Sequence, residues 1–85
     1  MESKECIFKD LYALQFKFIH VIEVEYWSNY HKALKKTQTI FKEQHYICCY
    51  QISFLHCLLD NFYNQHLITK YDLQLFKRLL NDLKA

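Results

Sequence analysis

The sequence predicts an all-α fold, a small bundle of three or four helices that dimerisation could complete. Three observations predict it. The 85 residues contain no glycine and no proline, so the tight primed turns of β-hairpins have none of their usual residues. Apolar residues recur at steps of three and four through most of the chain. The side chains are large: seven Phe, seven Tyr, one Trp, twelve Leu and seven Ile, enough to fill one core in a chain of one-domain size. We read residues 1–85 as a single helical domain.

The first segment runs from Lys4 to Tyr30, about seven turns if unbroken. Ile7, Leu11, Leu14, Phe18, Val21 and Ile22 give it one apolar face, and Phe8, Tyr12, Ile19 and Tyr26 widen it. Ser3 is the natural N-cap. Val21, Ile22 and Val24 favour a strand, but the three-four spacing outweighs them. Trp27-Ser28-Asn29 is the best stop, because Ser and Asn compete for backbone hydrogen bonds. The spacing leaves open whether residues 4–43 form one bent helix or two.

A second helix is expected over Asn29 to Glu43. Tyr30, Ala33, Leu34, Thr37, Ile40 and Phe41 form its apolar face, and Lys32, Lys35, Lys36, Gln38 and Lys42 its wet face. The third segment, Gln44 to Asn64, is apolar all round, which describes a helix covered on most sides by its own bundle, a second copy, or both. The fourth has explicit start signals. Thr69 caps with Asp72 three positions on, and Ile68 staples to Leu73. Leu73, Phe76, Leu79, Leu80 and Leu83 carry the core face. Without glycine, the turns fall to Ser28-Asn29, Glu43-Gln44-His45 and Gln65-His66-Leu67. Weak stops also admit exchange of helices between two copies. Through Leu67-Ile68-Thr69, Asp72-Leu73 and Lys77, residues Leu58 to Leu80 locally resemble the C-terminal helical hairpin known as SHOCT. His66 or Leu67 stands where that family has glycine.

Composition excludes several function classes. Walker, Rossmann and nucleophile-elbow motifs all need glycine. The apolar run Ile47 to Leu59 is interrupted by Gln51, Ser53 and His56 and is too short to span a membrane. The charged, mixed-sign start is not a secretory signal, and the adjacent Cys48 and Cys49 are ill placed to pair with each other. Cys6, Cys48, Cys49 and Cys57 therefore read as reduced thiols in a cytoplasmic protein. Ten Lys against one Arg, with many Ile, Phe and Tyr, matches AT-rich coding.

His45 and Cys49, four apart, with His56 near the same line, are metal-ligand candidates on the third segment. His45 and His56 lie about 16 Å apart along a helix, so one ion cannot use both, and small apolar packing explains Cys equally well. We expect no metal and no cofactor. A Cys49–His45 nucleophile pair lacks an oxyanion site, and we expect no enzyme and no catalytic residues.

The residues expected to bind a partner are Tyr26, Trp27, Tyr30, Lys32, Lys35 and Lys36, where aromatic and basic groups meet. The function expected is a non-catalytic protein-binding module, an inhibitor, immunity, anti-defence or regulatory protein of a phage, plasmid or low-GC bacterium. Its partner is another protein, with a homodimer as a further option and no membrane. The alternatives are a nucleic-acid-binding regulator using the basic second helix, which the scarcity of Arg disfavours, and a His/Cys metal-binding bundle.

Overall fold

The computed structural model describes residues 3–18 and 20–84 and contains four helices: α1 (Lys4–Phe16), α2 (Val24–Gln44), α3 (Cys49–Asn64) and α4 (Lys70–Lys84). The expected all-α bundle is the fold observed. Residues 4–43 form two helices, but the break lies at 17–23 and begins ten residues before the expected stop at Trp27. Ser28 and Asn29 sit inside α2.

The displaced break has a physical cause. Lys17 and Phe18 N–H close two tight turns onto Leu14 and Gln15 carbonyls. The Phe18 carbonyl then accepts three donors: Val21 N–H at 3.0 Å, Ile22 N–H at 3.0 Å, and the Trp27 indole Nε1–H at 2.7 Å. The chain folds back on itself, and Phe18 and Ile22 still enter the core. Their spacing of four signalled burial, not helix. β-Branched Val21, Ile22 and Val24, weak helix formers, lie in the connection or at the start of α2. Ile19, expected on the widened α1 face, lies outside the described residues.

The helix termini replace glycine with histidine. α2 ends at His45 in the left-handed region (φ 55°), whose N–H bonds the Phe41 carbonyl at 2.8 Å. α3 ends in a full Schellman arrangement. His66 takes the left-handed conformation (φ 60°), its N–H bonds Tyr63 O, and Leu67 N–H bonds Phe62 O, each at 2.9 Å. The two turns expected near residues 43–45 and 65–67 are these. At the N-termini, Ser3 Oγ accepts from Cys6 N–H at 3.3 Å, and Thr69 Oγ1 accepts from Asp72 N–H at 3.2 Å. The Thr69 hydroxyl in turn donates to Asp72 Oδ2 at 2.8 Å, whereas in the usual box the carboxylate accepts from the backbone N–H of the cap residue. Ile68 and Leu73 are both buried, as a staple requires.

Backbones approach closely in three pairs, α3 with α4, α1 with α4 and α2 with α3. α1 and α2 meet through side chains: Tyr12 donates to Gln38 Oε1 at 2.9 Å, Gln15 Nε2 lies 3.1 Å from His31 Nδ1, and Phe8 packs near Phe41. The core draws on all four helices, with Phe8, Leu11, Tyr30, Leu34, Leu55, Leu59, Phe76, Leu80 and Leu83 wholly enclosed. Five rings form its densest part. Trp27 sits 5.3 Å from both Tyr30 and Phe62 in edge-on geometry and within 6.4 Å of Phe18 and Phe76. Such pairs add about 0.5–1.5 kcal/mol each beyond area burial.

The left-handed histidines give a direct test. A non-glycine residue there costs about 1–2 kcal/mol, partly offset by the larger unfolded-state entropy of glycine. His66→Gly is therefore expected to stabilise the fold by roughly 0.5–1 kcal/mol, read from urea unfolding. A loss of stability would contradict the assigned Schellman geometry.

Candidate interaction groove between α2 and α3

Helix α2 buries one stripe, Trp27, Tyr30, Ala33, Leu34 and Thr37. The Thr37 hydroxyl is satisfied by donating to Ala33 O at 2.9 Å. Two of the expected partner-binding residues, Trp27 and Tyr30, therefore belong to the core. The Trp27 indole N–H is spent on Phe18, and burial, reinforced by the neighbouring Tyr12, pushes the Tyr30 hydroxyl pKa far up. Tyr30 stays protonated, and its enclosed hydroxyl has no hydrogen-bond partner. Tyr26, Lys32, Lys35 and Lys36 are exposed. Composition could not separate the two sets. The phase of α2 separates them, and that phase follows from a start at Val24.

Lys32 and Lys36 line a groove of about 510 Å³ between α2 and α3, facing Tyr50 and Phe54. Tyr50 is 86% exposed and Phe54 52%. Half-buried Leu58 and Gln51 form part of the floor, and no carboxylate lines the groove. Of the covers expected for α3, its own bundle supplies only one side. The helix buries Ile52, Leu55, Leu59 and Phe62 and leaves Tyr50, Phe54 and Tyr63 open to solvent. Neither Tyr50 nor Phe54 was among the expected interface residues. Their signal was the all-round apolar character of this segment, which marks an uncovered second face as readily as an enclosed helix.

The metal candidates do not converge. His45 ends α2 and Cys49 opens α3, so their spacing of four does not place them on one helical face. His56 is half-buried a further two turns along. Among the described residues no group of three or more His, Cys, Asp or Glu side chains could hold a metal ion. No hydrogen bond joins Cys49 to His45 among the described residues. No helix is long and apolar enough to cross a membrane among those residues.

Comparison with protein-family models, with curated proteins and with solved structures yields no match. The likeness of residues 58–80 to a SHOCT hairpin extends no further than the capped turn that produces it.

On the opposite side of α3, His56 packs towards α4. Its Nε2 is buried without a partner. Burial first, then the charges of Lys77 and Lys84, lower its pKa, and Asp60 opposes them. Asp60 is itself held by Lys77 at 2.7 Å. With a folded pKa below the unfolded value near 6.5, the unfolded chain takes up a proton first. Stability is thus intact above about pH 6.5 and declines as pH falls below it. We expect His56→Gln to lose less stability than the parent chain between pH 7 and pH 5, compared by denaturant titration. Parallel losses would show that His56 is not the group responsible.

Proposed function

We propose that this protein is a non-catalytic protein-binding module whose contact surface is the α2–α3 groove. The observation that carries this reading is the pairing of exposed Tyr50 and Phe54 with Lys32 and Lys36 along one groove. Tyr and Phe supply contact area at low entropic cost, and an exposed cluster of large rings is what a partner desolvates. The lysines set the chemistry of that partner. With no carboxylate in the groove, it favours an acidic segment bearing apolar side chains. Lys35 and Tyr26, also exposed on α2, extend the same basic and aromatic character. Acting by contact suits a small inhibitor or regulator, and AT-rich coding suits a phage, plasmid or low-GC bacterium.

The nucleic-acid reading rests on the exposed lysines of α2, Lys32, Lys35, Lys36 and Lys42. Arg78 stands on α4, away from that row. Such binding would fall steeply between low and moderate salt.

Site-specific photo-crosslinking in the native host tests the groove. A crosslinker at Tyr50 is expected to capture one protein of acidic character. The same group at Tyr71, 72% exposed on α4, is expected not to capture it. Tyr50→Ala with Phe54→Ala, introduced beside a crosslinker at Lys36, should abolish capture and shift stability by no more than about 0.5 kcal/mol, as surface changes do. Identical capture from Tyr50 and Tyr71, self-capture alone, or salt-sensitive nucleic acid as the only product would overturn the proposal.

A further inference from the structure

The two walls of the α2–α3 groove repeat at one interval. Lys32 and Lys36 stand four apart on α2, and Tyr50, Phe54 and Leu58 stand four apart on α3. Four residues of helix advance about 6 Å, so Tyr50 to Leu58 spans about 12 Å, a little over two turns. Between the rows lies Ala33, buried and with no side chain beyond Cβ. An incoming chain can therefore approach α2 closely.

Apart from the first turn of α3, the lining residues lie inside helices, where N–H and C=O groups are already bonded along the helix. A partner seated here cannot add as a strand, because no sheet edge is offered. Its own main-chain groups, taken from water against apolar rings, must find partners within itself. An α-helix supplies them along its whole length. The groove also selects charge, with two lysines and no carboxylate in its lining. The cleft of about 310 Å³ on the other flank of the α2 stripe, towards α1, is lined without Asp, Glu, Lys or Arg and selects none. A second copy does not supply the complement. None of the four helices carries two carboxylates three or four apart: α1 has Glu5 and Asp10, α2 Glu25 and Glu43, α3 Asp60, and α4 Asp72 and Asp82.

We propose that the occupant of the α2–α3 groove is an acidic amphipathic α-helix of a different protein, an inference that rests on the protein-binding reading of this groove. The apolar residues of that helix, at steps of three and four, lie on Tyr50, Phe54 and Leu58. Asp or Glu residues along its flank, one turn apart, meet Lys32 and Lys36. Rows spaced by four on both walls are the ridges between which a third helix packs.

The test titrates the isotope-labelled chain with two synthetic peptides of one composition, Leu, Glu and Ala. The first places Leu at steps of three and four with Glu beside it, and the second alternates apolar and acidic residues. The first is expected to give saturable shifts at the amides of Lys36 and Phe54. It should bind about tenfold more tightly than the second, whose main chain loses at least one hydrogen bond on seating. Lys32→Ser with Lys36→Ser should weaken it about fivefold, the scale of two exposed ion pairs. In the native host, small photo-crosslinkers at Tyr50 and at Leu58 should mark positions about seven or eight residues apart on the captured protein, the spacing of a helix over that span. An extended segment would carry the marks about three or four residues apart. No saturable shift, equal affinity for the two peptides, an inert lysine pair, or marks at the extended spacing would overturn the helical occupant and leave the groove standing as a protein contact. Capture of no other protein from either position would overturn both.

Discussion

One hydrogen bond sets the geometry on which the rest of the molecule depends. The Phe18 carbonyl lies in the connection between α1 and α2, and the Trp27 indole reaches back from the first turn of α2 to take it. A chain with no glycine has few means of reversing direction. Here a buried side-chain donor holds the reversal in place. The same indole lies within 6.4 Å of rings from the connection, α2, α3 and α4. The turn is thereby tied to the core, and folding the core and forming the turn become one event.

This anchor fixes the phase of α2. With the helix starting at Val24, Trp27, Tyr30, Leu34 and Thr37 point inward. The residues on either side of that stripe line the two concavities, Lys32 and Lys36 towards α3 and Val24, Ser28 and His31 towards α1. A start five residues later, at Asn29 as the periodicity alone suggested, would leave Trp27 outside the helix and give the turn no donor. Helix α2 therefore has one structural face and two flanks that line concavities. The flanks differ in chemistry: one is basic and aromatic, the other is lined without Asp, Glu, Lys or Arg.

What could be read from the sequence depended on how local the signal was. α4 was legible almost to the residue, because Thr69, Asp72, Ile68 and Leu73 act within one turn of chain. The turn at 65–67 was legible as a gap between apolar patterns. That His66 takes the glycine conformation was not, since αL occupancy by a non-glycine residue leaves no compositional trace. The break at 17–23 was missed because Phe18 and Ile22 keep helical spacing while serving a turn, and the deciding contact comes from Trp27, nine residues on from Phe18. The candidate groove was half legible. Lys32, Lys35, Lys36 and Tyr26 stand exposed as read, but Trp27 and Tyr30 had to be assigned to core or surface by helix phase. Tyr50 and Phe54 became visible only once α3 was seen to have one face uncovered.

Hydrogen exchange at the Trp27 indole tests the anchoring role most directly. If the Phe18–Trp27 bond is integral to the core, its Nε1–H exchanges only through global unfolding. Its protection then equals that of the slowest amides of α3 and α4, and it falls in step with them as denaturant is added. Exchange roughly 100-fold faster than those amides would mark a local opening. The turn would then be an appendage, and the central place given to this contact would be wrong.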